Sequence, residues 1–265
     1  YLLKNGLESM PTEPKILSIY LTYLSKTSKF STLKRRIASI KVVHKMKGHY
    51  LDTKHPIIIE NLLGIKRING SYQKSKKPLL INDLKNILRV LDEKEKSEYK
   101  RIRDKSLLLI GFAGGFRRSE LVNIEYDDLE FVNEGLKIFI KKSKTDQIGE
   151  GSIKAIPYFS NTEYCPVIRI KEWIRYKNNK KGKIFDISDK SVSLIIKKYA
   201  LLAGLEHNKY AGHSLRSGFA TSAAEAGAEE RNIMAMTGHK STQMVRRYIK
   251  EANLFKNNAL NKIRI

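Results

Sequence analysis

Four short segments carry side chains suited to gripping an anion and moving protons around it. In Gly115-Phe116-Arg117-Arg118-Ser119-Glu120-Leu121 an arginine precedes a glutamate by three residues. On a helix start that spacing lets Glu120 pair with Arg117 and orient its guanidinium. In Gly212-His213-Ser214-Leu215-Arg216 the same i, i+3 spacing puts His213 and Arg216 on one helix face, beside an N-terminus that already favours negative charge. Gly238-His239-Lys240-Ser241 reads as a turn into a helix, and Arg246-Arg247-Tyr248 follows on that helix. Taken singly, each pattern is common on ordinary solvated helices.

Other chemistries lack their signatures. The histidines (His44, His49, His55, His207, His213 and His239) form neither HExxH nor finger spacing with the single cysteine, Cys165, so no metal is expected. Gly111, Gly114 and Gly115 cluster, but GxxxxGK[ST] is absent, and so is GxSxG; neither ATP use nor serine hydrolysis is supported. No cofactor is expected.

The charge balance points to the partner. Lys and Arg total 51 against 27 Asp and Glu, a net charge of +24 over 265 residues, enough to drive binding to a polyanion. Residues 1–76 hold 15 basic and 4 acidic residues, so the first segment is the denser in charge. Apolar residues make up 41%, enough for a packed core. The longest apolar run, Leu107 to Ala113, is too short to span a bilayer. One cysteine excludes an internal disulfide and favours a reducing, intracellular setting. The chain opens at Tyr1 without a signal-type segment; a truncated N-terminus leaves targeting undecided.

These residues need elements to position them. Helices are predicted over 14–25, 31–47 (capped by Ser31 or Thr32) and 56–68. In the second, Leu33, Ile37, Ile40 and His44 form an apolar stripe, and Lys34, Lys41 and Lys45 a basic one beside it. The polar stretch 69–78 reads as a linker. Beyond it, helices are predicted over 81–91, 101–114 and 117–124, then two strands, 136–142 and 153–157, flanking a polar turn. Further helices are expected over 166–178, 189–203, 213–226, 229–236, 241–250 and 253–263. The fold class is therefore mainly α. A small all-helical domain (1–76) precedes a larger α+β domain (77–265) that carries a short antiparallel sheet and ends in a helical tail.

In this order and at these separations, GFRRSEL, GHSLR, TGHKS and RRYI resemble the tyrosine recombinase, or phage integrase, family. His213 stands thirty-five residues before Tyr248, and His239 nine. SIYLTYLSK and STLKRRIASIKVVHKMKGH, in the first seventy-six residues, resemble the family's core-binding domain; the spacing looks closest to Cre-like and plasmid or phage integrases. The resemblance implies site-specific DNA recombination without metal or ATP: a tyrosine attacks a phosphodiester, leaving a 3′-phosphotyrosine and a free 5′-hydroxyl. It makes Arg117 and Arg216 the phosphate clamp with Glu120 in support, His213 a proton carrier, His239 a phosphate donor and Tyr248 the nucleophile. A lysine in the β-turn would protonate the leaving oxygen; Lys144 is the choice, with Lys141, Lys142 and Lys154 nearby. Lys34, Lys41, Lys45, Arg118 and Arg247 are candidate DNA contacts. The family works as four protomers on two double-stranded sites. The same chemistry would serve a type IB topoisomerase-like relaxase, and the bare fold a non-catalytic DNA-binding accessory protein.

Overall fold

The computed structural model describes all residues except 71–74, 142–149, 179–180, 257–258 and 264–265, and leaves the side chain of residue 262 undescribed. The chain divides into two compact units, Tyr1–Ser75 and Lys76–Ile265.

The first unit is built from α1 (Pro14–Ser25), α2 (Phe30–Met46) and α3 (Pro56–Asn69). Prolines at the first position of α1 and α3 sit where a missing N–H loses no helical bond. Leu17, Leu21, Leu33, Ile37, Leu51, Ile58 and Ile65 form its core. His44, on the apolar stripe of α2, is 1% exposed. Its Nδ1 lies 2.9 Å from the Ile40 carbonyl, and its Nε2 accepts the Thr12 N–H at 3.0 Å, so this histidine is a structural tie. Lys34, Lys41 and Lys45 are exposed on the same helix. The expected cap is corrected: α2 starts one residue before Ser31, and Lys29 precedes it without a side-chain cap.

The second unit is organised around α5 (Glu98–Ala113), whose last ten residues are all buried. The run Leu107–Ala113 is apolar on every side because α4 (Ile81–Lys94), α7 (Pro166–Lys177) and α9 (Ser214–Glu225) pack around the helix. A three-stranded antiparallel sheet follows the short α6 (Arg118–Val122), with order β1 (Leu129–Val132), β2 (Gly135–Ile140), β3 (Ser152–Pro157). β1 was not among the expected strands: four residues between acidic turns offer too short an alternation, and only its pairing with β2 from Leu129↔Ile138 to Val132↔Gly135 defines it. The unit continues through α8 (Asp189–Leu202), α10 (Glu230–Thr237) and α11 (Thr242–Ala252).

The expected helical tail over 253–263 is also corrected. Among the described residues, α11 stops at Ala252 and only a 3-10 turn, Ala259–Lys262, follows. Leu254, Phe255, Leu260 and Ile263 are all exposed. A segment this short needs burial of an apolar face to hold a helix, and these four side chains are not buried.

Candidate phosphate-binding active site

The site lies where the ends of α5, α9, α10 and β3 converge with α11. Gly114 and Gly115 break α5, Gly115 with φ of 54°, a backbone state that side chains with a Cβ rarely adopt. The turn directs two carbonyls inward. Arg216 Nη1 donates to Gly115 O at 2.9 Å, and Lys154 Nζ donates to Gly114 O at 2.7 Å. Two residues on, Arg117 is the N-cap of α6. Its backbone N–H donates to Glu120 Oε2 at 2.9 Å while its Nη1 pairs with Glu120 Oε1. One glutamate thus fixes both ends of the arginine, and Nη2 reaches Gly238 O at 3.5 Å.

Arg216 is 1% exposed. Its Nε and Nη2 have no hydrogen-bond partner among the described residues. A buried guanidinium with two nitrogens lacking an acceptor is costly unless an anion completes it. Burial, then the charge of Arg117, lowers its pKa to about 10.

Gly238, in a left-handed conformation with φ of 62°, ends α10 and turns the chain toward His239. The His239 ring stands 6.0 Å from that of Tyr248, centroid to centroid. Burial, then Arg216, Arg117, His213 and Lys154, pushes the His239 pKa down to about 4. Tyr248 is buried on α11. Burial raises its pKa, while the charges of Arg216 and Arg247 oppose that shift. His213 precedes α9 and is exposed; loss of water on its protein side, then Arg216, Arg117 and Arg118, lowers its pKa. A cavity of about 260 Å³ is lined by Arg117, Glu120, Lys154, Thr237, His239 and Lys240, among others.

Five of the six residues expected to act together are therefore neighbours: Arg117, His213, Arg216, His239 and Tyr248, with Glu120 in support. Lys144 lies outside the described residues. Of the other lysines named for its role, Lys142 shares that position, Lys141 pairs with Glu125 and Asp128, and Lys154 is buried in the site. The register Ile138↔Lys154 places Lys154 on the core face of β3, where Nζ also donates to Met236 O and lies 4.4 Å from the Phe116 ring centre. Burial lowers its pKa to about 7. It joins the strand to the turns before Arg117 and His239. Thr237, which bonds His239, was not singled out from the sequence.

The remaining expectations sort by surroundings. Arg118 lies 3.8 Å from Asp189 and is partly exposed; Arg247 is exposed on α11. Tyr199 and Tyr210 are buried and hydrogen-bonded to Glu95 and Asp104, and to Asp83, respectively. No group of three or more His, Cys, Asp or Glu side chains among the described residues could hold a metal ion. No helix among them is long and apolar enough to cross a membrane.

Comparison with known proteins identifies the family and the fold. The phage integrase family model matches residues 79–254. An integrase/recombinase xerD homolog from Selenomonas ruminantium is 40% identical over 98% of this chain and 80% of its own length. A tyrosine recombinase from Agathobacter rectalis is 28% identical over 91% of this chain and 76% of its own. The fold resembles that of the XerH site-specific recombinase bound to palindromic difH substrate in a post-cleavage complex, with a TM-score of 0.68 at 18% identity, covering 94% of this chain and 73% of that one. It also resembles a lambda integrase dimer bound to a COC′ core site, with a TM-score of 0.61 at 15% identity over 94% and 84% of the two chains. A buried arginine short of an anion, a second arginine braced by glutamate, and a tyrosine beside them thus have a family context: the chain belongs to the phage integrase family of tyrosine recombinases, enzymes that break and rejoin DNA.

Proposed function

We propose that this protein is a site-specific recombinase that cuts and reseals double-stranded DNA through a covalent link to Tyr248, with no metal or nucleotide cofactor. The observation that carries the reading is the buried guanidinium of Arg216, whose Nε and Nη2 lack partners among the described residues. A phosphodiester oxygen supplies what they lack, and Arg117 grips a second oxygen from the Glu120 brace.

In the reaction, Tyr248 Oη attacks the phosphorus and its proton passes toward His213. The bond to the 5′-oxygen breaks, leaving a 3′-phosphotyrosine and a 5′-hydroxyl. Lys144 supplies the proton that the leaving oxygen takes up, in keeping with its place between β2 and β3. The phosphoester energy stays in the tyrosyl link, so resealing needs no ATP. Each fixed donor to the charge that builds on the phosphate is worth roughly 3–4 kcal/mol. Lys34, Lys41 and Lys45 on α2, with Arg118 and Arg247, contact the DNA backbone, and four protomers act on two sites.

A nicked suicide duplex containing the target site tests the reading. The wild type should accumulate a covalent protein–DNA adduct in chelator, and Tyr248→Phe should form none while binding the duplex with nearly unchanged affinity. Adduct formation by Tyr248→Phe would remove Tyr248 as the nucleophile.

A further inference from the structure

Thr237 is the last residue of α10, fully buried, two residues before His239. Its Oγ1 lies 2.6 Å from the carbonyl oxygen of Ile233 and 2.7 Å from Nδ1 of His239. A carbonyl only accepts, and two oxygens at 2.6 Å need a hydrogen between them. The single hydroxyl hydrogen of Thr237 therefore points to Ile233. Toward His239 the hydroxyl has only a lone pair left, so Nδ1 must carry a hydrogen and donate it.

We infer that Thr237 is a positioning residue that holds neutral His239 as the Nδ1–H tautomer, so that His239 can donate to a phosphate from Nε2 only after taking up a proton. The second half rests on the phosphate-binding role proposed above; the tautomer itself does not. With Nδ1–H committed to Thr237, neutral His239 presents a bare Nε2 lone pair, which repels a phosphate oxygen. Protonation converts that lone pair to a donor without disturbing the bond to Thr237. The groups facing the ring are the guanidiniums of Arg216 and Arg117, then His213 and Lys154, with Tyr248 alongside and Glu120 on the same cavity wall. Burial first, and then these charges, keeps the ring neutral, and an incoming phosphate offsets the charges. Anion binding and proton uptake at His239 are thereby coupled.

The test is nitrogen-15 NMR of the histidine side chains in the whole 265-residue chain without DNA, at about pH 7.5, with His239 assigned by its loss in His239→Gln. Wild type should show the Nδ1–H pattern, Thr237→Val the Nε2–H pattern that free histidine favours, and Thr237→Ser the wild-type pattern. An Nε2–H pattern in the wild type, or an unchanged tautomer in folded Thr237→Val, overturns the inference. The coupling is read separately with sulfate as the probe, by proton uptake measured on binding in buffers of different ionisation enthalpy. Wild type should take up protons and Thr237→Val fewer, because its neutral Nε2–H already donates; equal uptake overturns the coupling. Failure of sulfate to bind either protein would count against the phosphate pocket, and leave the tautomer to be decided by NMR.

Discussion

The guanidinium of Arg216 is tied to the carbonyl of Gly115, 101 residues earlier in the chain, at 2.9 Å. That one bond joins the start of α9 to the break in α5 and uses one corner of the fork, while Nε and Nη2 have no hydrogen-bond partner among the described residues. Replacement by lysine keeps the charge and can keep the bond to Gly115, but it removes the planar fork. Arg216→Lys should slow single-turnover cleavage of a suicide duplex about 10²–10³-fold, the effect of one lost preorganised donor. A loss under about fivefold would mean the idle N–H groups are not aimed at the reacting phosphate.

Gly115 makes that bond possible through its positive φ. A methyl group there would be strained, and would stand 3.1 Å from Phe219 Cδ1 and 3.3 Å from Thr237 Cγ2. Gly115→Ala should lower unfolding stability by about 1–3 kcal/mol, measured by urea denaturation. It should also reduce cleavage, since both arginines of the site are hung from this turn. Unchanged stability would show that the turn relaxes freely.

Much of this arrangement was legible in the sequence because it depends on local rules. The i, i+3 spacing of Arg117 and Glu120 works wherever a helix begins, and the stripe of Leu33, Ile37, Ile40 and His44 needs only a period of 3.6. Lys154 shows where local rules stop. Alternation along β3 would send Ile153 inward and Lys154 outward, yet Ile153 is 66% exposed and Lys154 is 5% exposed. The register with β2 decides the face, and the acceptors that make a buried lysine tolerable, Gly114 O and Met236 O, come from segments 40 and 82 residues away. The hydroxyl direction of Thr237 was hidden for the same reason: it depends on which oxygen lies within reach. The tail failed differently, since an amphipathic pattern forms a helix only where something covers its apolar face.

The buried lysine leaves a mark on stability. Its pKa of about 7 in the folded protein compares with about 10.4 when exposed. Between those values the unfolded chain binds the proton and the folded one does not, so unfolding becomes less favourable as pH rises. Stability of the DNA-free protein should therefore increase from pH 7 to pH 9, and Lys154→Met should lose that component of the rise. Urea midpoints of the two proteins at both pH values read the difference; parallel pH dependence would place the ammonium in contact with water.

The lysines of α2 predict a salt dependence. Each lysine that neutralises a phosphate adds about 0.9 to the slope of log affinity against log salt. Changing Lys34, Lys41 and Lys45 together to alanine should reduce the slope by about 2–3 and weaken specific and nonspecific duplexes alike. An unchanged slope would assign these exposed lysines to plain solvation.

Sulfate, whose charge is constant across the working range, isolates the electrostatics of the site. His239 titrates near 4 in the empty protein against about 6.5 when unperturbed, and a bound dianion must raise it, because the proton and the anion attract. The sign follows: affinity for the anion grows as pH falls through the pKa of the complex, and levels off below that of the empty site. At matched ionic strength, the rise in melting temperature given by sulfate over chloride should be larger at pH 5.5 than at pH 8. His239→Gln, which cannot take up the proton, should reduce that dependence to the part contributed by Lys154, whose pKa of about 7 lies in the same range, while Arg216→Lys should shrink the effect at both pH values. A sulfate effect equal at the two pH values in the wild type would mean that the anion binds without recruiting the histidine, leaving the arginines to hold it alone.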